Sequence, residues 1–147
     1  MRVSLGNDHC GYSLKAHVLD LLSRMDIDVV DHGCHSETPV DFPDIVGAVC
    51  RTVTEGNAER GLLLCGSGIG ACIAANKMSG IRAALIHDIH CAHQSVEHDD
   101  ANVMCLGARI VGDWLAADLI EAFLKAEFLS DDPDRVRRVR KIAELEQ

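Results

Sequence analysis

The chain has 147 residues, 48% of them hydrophobic, and its 14 Lys and Arg stand against 23 Asp and Glu for a net charge of −9. That length suits one domain over residues 1–147, because domains run roughly 100–200 residues, and the apolar share excludes a disordered chain. The acidic balance excludes a surface built for nucleic-acid phosphates or anionic lipid, although a few converging cations can still hold a small anion.

Residues 3–5 predict a first strand, after which Leu14, Val18, Leu21, Leu22 and Met25 keep helical spacing. Residues 29–30 carry a short second strand signal, followed by a polar connection over 31–43 and a helix over 44–55. A strand over 61–64 leads to a helix starting near Ala71, and a strand over 83–86 to a helix over 89–97. The strand over 103–106 precedes a helix marked by Leu115, Leu119, Ile120, Phe123 and Leu124. Pro133 opens a last helix, about 134–145, with Val136, Val139 and Ile142 on one face. Short continuous apolar runs suit strands buried on both faces. Their alternation with helices predicts an α/β fold with a parallel, doubly wound sheet.

The amino terminus meets Asp8 before an apolar signal core can form. The longest uncharged stretch, 61–76, is broken by glycines and shorter than the ~20 residues of a membrane span. Seven scattered cysteines form no Cys-x-x-Cys pair, so they are expected to be reduced thiols in a cytoplasmic protein.

In an open α/β sheet, ligands bind beyond the carboxyl ends of the strands. The strongest feature there is Cys65-Gly66-Ser67-Gly68-Ile69-Gly70, where a strand ends in a thiol and a glycine loop opens a helix. Its backbone N–H groups suit a phosphate or an oxyanion. The same field is expected to lower the Cys65 pKa, for use as nucleophile or base. A buried cysteine ending a strand before a tight turn is the plainer alternative. Gly66, Gly68 and Ala71, with Asp88 further on, also fit a loose dinucleotide fingerprint, but too few strand units follow it.

After the first strand, Asp8 and His9 are placed to meet a polar ligand, unless Asp8 simply caps the helix. Asp44 is a similar candidate cap after the second strand. His87, His90 and His93 invite a metal site, yet their spacing drifts around a helix and an exposed helix start is the better reading. His98 follows the fourth helix and precedes the fifth strand, which puts it at the amino edge, opposite the Cys65 loop. If it acts with Cys65, it comes from a second chain; otherwise it is a solvated histidine on the helix dipole.

These residues together resemble the ribose-5-phosphate isomerase B family, in the group that includes galactose-6-phosphate isomerase subunits. The carriers are Gly6-Asn7-Asp8-His9-Cys10-Gly11 with Leu14-Lys15, Asp41-Phe42-Pro43-Asp44, the 65–70 loop, Ala74-Ala75-Asn76-Lys77, Gly80-Ile81-Arg82-Ala83, His98-Asp99-Asp100-Ala101-Asn102-Val103 and Leu106-Gly107-Ala108-Arg109. The resemblance implies a three-layer Rossmann-like fold with a five-stranded parallel sheet and helices on both faces. It also implies a homodimer with shared active sites, or a tetramer of such dimers, and no metal or nucleotide cofactor. The implied activity is aldose–ketose isomerisation of a small phosphorylated sugar, ribose 5-phosphate and ribulose 5-phosphate first, through an enediolate. Cys65 would be the base, Ser67 would assist proton traffic between O1 and O2, and His98 would open the sugar ring. Backbone groups of Gly66, Gly68, Ile69 and Gly70 would hold the enediolate, Asp8 the sugar hydroxyls, and His9 and Arg109 the phosphate.

Departures from the family pattern bear on the substrate. Phe42 stands where the family commonly has Tyr, Ser67 where it usually has Thr, and Asp99 where it usually has Asn. The usual arginine tail is replaced by a segment in which Arg135 and Arg138 lie one turn apart. A four- or six-carbon sugar phosphate (erythrose or erythrulose 4-phosphate, allose 6-phosphate, galactose 6-phosphate) is therefore the close alternative. A non-catalytic nucleotide- or phosphate-binding module is the distant one, and would need neither the thiol nor the Ser67 hydroxyl. Thiol redox or acyl-transfer chemistry is weaker still, because no second cysteine is spaced to resolve it.

Overall fold

Five strands, β1 (Arg2–Asn7), β2 (Asp28–Asp31), β3 (Arg60–Cys65), β4 (Ala83–Leu85) and β5 (Val103–Gly107), form one parallel sheet in the order β2-β1-β3-β5-β4. The computed structural model describes residues 1–146. The side chains of β3 and β5 are buried on both faces. Leu62, Leu64, Met104 and Leu106 share one core with α1 (Tyr12–Arg24), α4 (Ile89–Asp99) and α5 (Asp113–Lys125). Leu63, Val103 and Cys105 face the other way, onto α2 (Phe42–Thr54) and α3 (Ile69–Ala75). Period-two alternation on a doubly covered sheet is why the central strands read as unbroken apolar runs. The expected three-layer α/β architecture is the one found.

Several boundaries differ, each for a local reason. The second helix begins at Phe42 rather than Asp44, because Pro43 in its first turn already has a helical φ. Its N-cap position is held by Asp41, so Asp44 is not the cap. The third helix starts at Ile69, and β4 stops at Leu85, although the Ile86 amide still donates to the Cys105 carbonyl at 3.0 Å. The last helix, α6 (Pro133–Ala143), is capped by the Asp132 carboxylate accepting from the Asp134 amide. It buries none of its residues: Val139 is half-buried, while Val136 and Ile142 remain exposed.

Helix α4 runs two residues past Glu97, so His98 sits inside its last turn. The chain then reverses at Asp100, which adopts a left-handed conformation with φ 51°, a geometry that Asp tolerates better than most residues. Arg82 holds that turn, donating from Nε to the Asp100 carbonyl at 2.7 Å and pairing with its carboxylate at 2.6 Å. The reversal delivers the chain to the start of β5 at the amino edge. No described helix is long and apolar enough to cross a membrane.

Candidate active site

The site lies where β1, β3 and β5 end together. The Asp8 amide donates to the Leu64 carbonyl at 3.1 Å, and the Ala108 and Arg109 amides donate to the Cys65 and Gly66 carbonyls at 2.8 and 3.1 Å. These bonds sew the loops after the three strands into one rim. Asp8 is only 5% exposed. Its Oδ1 accepts from the Cys10 and Gly11 amides at 2.8 Å each, so it organises the turn ahead of α1 rather than capping the helix. Its carboxylate and the Cys65 thiol line one small cavity, near enough for the carboxylate to bear on the thiol's ionisation.

The glycine loop takes its shape from two close approaches. Gly68 has φ +79°, and a Cβ there would come within 2.6 Å of the Leu85 side chain; only glycine meets both demands cheaply. Gly70 meets the tip of the Phe42 ring, whose Cζ lies 2.8 Å from where a Cβ would be, so the first turn of α3 packs against the end of that ring. The Ser67 hydroxyl accepts weakly from the Ile69 amide at 3.4 Å and stays half-buried at the rim. Asp8, Phe42, Ala71 and Cys65 line a narrow cavity beneath the loop.

The expected lowering of the Cys65 pKa is reversed: the thiol is pushed above its ordinary value. Burial contributes most, and the nearby Asp8 carboxylate adds to it. The Gly66 and Gly68 amides pull the other way and lose. A helix of seven residues offers little opposing field, while a carboxylate in contact favours the protonated thiol. Cys72 is the cysteine whose pKa falls, to about 7, because the Cys105 thiol donates to it.

Asp8→Asn removes a charge that adds to burial in keeping the proton on sulfur, so Cys65 should become alkylatable at lower pH in that variant. Iodoacetamide labelling of the Cys65 peptide across the alkaline range, read by mass spectrometry with Cys72 as internal reference, checks the sign. A labelling curve that stays put or moves to higher pH refutes the Asp8 contribution.

The structure gathers Asp8, His9, Phe42, Cys65, Gly66, Ser67, Gly68, Ile69, Gly70 and Arg109 at the carboxyl edge. It does not bring His98, Asp99, Arg135 or Arg138 there. His98 and Asp99 end α4 beside the amino end of β4, roughly a strand length (~15 Å) from the Cys65 rim. The Leu129 amide donates to the Glu97 carbonyl at 3.0 Å, and α6 packs on α4, so Arg135 and Arg138 share that amino-edge region. Arg135 pairs with Asp132 at 3.5 Å and Arg138 with Asp134 at 3.9 Å. Asp99 is exposed and forms no ion pair among the described residues, because Arg82 is committed to Asp100.

The histidine run does not converge either. His87 is half-buried and its Nε2 accepts from the Gly107 amide at 3.0 Å, while His93 pairs with Glu97 at 2.8 Å. The helix start is set by Asp88, which accepts from the Cys91 amide at 2.8 Å. Among the described residues, the one group of metal-capable donors within 4.8 Å of one another is Asp8, His9 and Cys10. Lys15 and Asn7 stand in the blocks that carry the family resemblance, which assigns them no role in the site; in the structure they strap the long loop onto this edge. The available signal was a lysine set among the apolar positions of α1, beside Leu14 and Val18.

Residues 3–142 match the family model described as Ribose/Galactose Isomerase. Among curated relatives, ribose-5-phosphate isomerase B of Escherichia coli K12 is 35% identical over 146 residues, covering 99% of this chain and 97% of the relative. The D-erythrulose-4-phosphate isomerase of Pectobacterium atrosepticum is 38% identical over 130 residues, covering 87% and 85%. Among solved structures, ribose-5-phosphate isomerase B of Clostridium thermocellum superposes with a TM-score of 0.96 at 43% identity, covering 99% and 97%.

Proposed function

The chain belongs to the ribose/galactose isomerase family and is a sugar-phosphate isomerase, and on that premise we propose that it interconverts ribose 5-phosphate and ribulose 5-phosphate with Cys65 as the base. The observation that carries this reading is the half-buried Cys65 thiol at the end of β3, lining one cavity with the buried Asp8 and followed directly by the glycine loop that opens α3. In the open-chain aldose, the Cys65 thiolate takes the proton from C2 and the electron pair moves onto the carbonyl oxygen, giving an enediolate. Amides of residues 66–70 stabilise that oxyanion. The Ser67 hydroxyl relays a proton between O1 and O2, and Cys65 returns its proton to C1. Asp8 holds a sugar hydroxyl, and His9 and Arg109 take the phosphate.

A raised thiol pKa makes the thiolate, once formed, a stronger base than one of lower pKa and leaves a smaller ionised fraction at neutral pH.

The active site is completed by a second copy. Ile69, Ile73, Leu85, Ile89 and Ile110 are exposed around the glycine loop, an apolar patch of the kind that marks an interface. A second copy seated there supplies His98 for ring opening and the α6 arginines for phosphate. An acidic Asp99 beside that histidine, and a Phe42 wall that offers no hydroxyl, favour a second reading in which the sugar has four carbons. The erythrulose-4-phosphate isomerase among the relatives supports it.

Proton NMR of the protein with ribose 5-phosphate tests the assignment. Ribulose 5-phosphate should accumulate to equilibrium at an enzymatic rate. No product from ribose 5-phosphate, alongside turnover of erythrulose 4-phosphate, replaces the five-carbon reading with the four-carbon one.

A further inference from the structure

Lys15 sits on the inner face of α1, only 5% exposed, and its ammonium group is held by the end of β2 and the loop that follows it. It pairs with Asp31 at 2.8 Å and donates to the Cys34 carbonyl at 3.1 Å. The other Asp31 oxygen accepts from the Gly33 amide at 2.9 Å. Asn7, at the end of β1, donates from Nδ2 to the same Cys34 carbonyl and to its sulfur, at 3.3 and 3.2 Å. From there the strap continues on alternate residues. The Cys34 thiol donates to the Ser36 carbonyl at 3.3 Å, and the Thr38 amide donates to the Ser36 hydroxyl at 3.3 Å. Finally, the Val40 amide donates to Nδ1 of His9 at 3.3 Å.

A backbone amide can only donate, so Nδ1 of His9 is the acceptor nitrogen and the neutral ring carries its proton on Nε2. We propose that Lys15 is a positioning residue: by anchoring the 31–40 strap it places the Val40 amide against His9 and locks that ring in the Nε2–H tautomer, with the Nε2 donor presented to the substrate's phosphate. The proposal rests on the reading of His9 as a phosphate contact. Its structural half, the tautomer lock, stands independently of turnover. A buried ammonium that pairs only with groups of this strap has no other evident task, since it touches neither Cys65 nor Asp8.

The test is long-range proton–nitrogen NMR of His9 in the whole protein, alongside kinetics. Wild type should show a single Nε2–H tautomer. Lys15→Met should give a mixture of tautomers and raise KM for the sugar phosphate about tenfold, the scale of one lost hydrogen bond, with kcat little changed. Lys15→Arg, which restores the cation, should recover most of both. A general loss of fold would lower kcat and KM quality together and would not be rescued in the tautomer spectrum. Should Lys15→Met fail to fold, Val40→Pro removes the donor itself from an exposed position, and His9 should again lose its single tautomer. A His9 that stays wholly Nε2–H in folded Lys15→Met or in Val40→Pro overturns the lock. A tautomer shift with KM unmoved overturns the phosphate role while leaving the lock in place. If wild type turns over no sugar phosphate, the functional reading fails and the tautomer result still decides the positioning claim.

Discussion

Cys65→Ala lowers kcat on ribose 5-phosphate by about a thousandfold, the middle of the range that a lost general base costs, while melting temperature and KM stay near wild type. The thiol is half-buried at a rim, so its removal opens no sealed cavity. Asp8 keeps the Cys10 and Gly11 amides, so no buried carboxylate is stranded. The loop amides and the phosphate contacts also remain, which is why binding survives when proton transfer does not. Cys65→Ser should be nearly as inactive, because a hydroxyl ionises far less readily than a thiol in the same Asp8-facing environment. The check is steady-state kinetics combined with solvent deuterium incorporation into the sugar. Both variants should fail to exchange the C2 hydrogen. Retention of more than about a tenth of wild-type kcat by Cys65→Ala would shift the base to Asp8, the other proton acceptor in contact with the site.

How far the residues alone disclosed this molecule depends on where each one sits. β3 and β5 were legible because sheet neighbours and helices cover both of their faces, leaving long apolar runs. The edge strands were legible in place but less sharply in extent, residues 29–30 marking only the middle of β2 and 83–86 overrunning β4 by one, since β2 pairs only with β1 and β4 only with β5 and their exposed or half-covered residues carry a weaker signal. The crossing that puts β5 between β3 and β4 leaves no mark on local sequence. The site divides in the same way. Cys65 and its glycines are contiguous, so the loop could be read directly, and chain order alone put His98 at the opposite edge. The sign of the Cys65 shift could not be read, because it depends first on how far the fold buries the thiol and then on Asp8, which another loop brings beside it. The Lys15–Asp31 pair was hidden for the same reason: it joins a helix to the end of β2 sixteen positions later through a buried contact.

The second large effect follows from that opposite-edge placement. Cys65→Ala and His98→Ala are each expected to be nearly inactive as purified proteins on ring-closed substrate, yet mixing equal amounts under subunit exchange should restore about a quarter of wild-type activity if each site joins Cys65 of one copy to His98 of another in a two-fold dimer. Random pairing makes half of the dimers mixed. In each mixed dimer one site holds both intact residues and the other holds neither. A strand length separates the two residues within one chain, and α4 is anchored at its carboxyl end by the Arg82–Asp100 contacts. A single chain therefore cannot close the gap without breaking that turn. Light scattering on the same samples reports whether dimers exist, so a failure to exchange is distinguishable from a failure to complement. Dimers that exchange but regain no activity would place His98 outside the catalytic site. They would also leave the exposed apolar patch around Ile69, Leu85 and Ile110 as a contact surface without a chemical role.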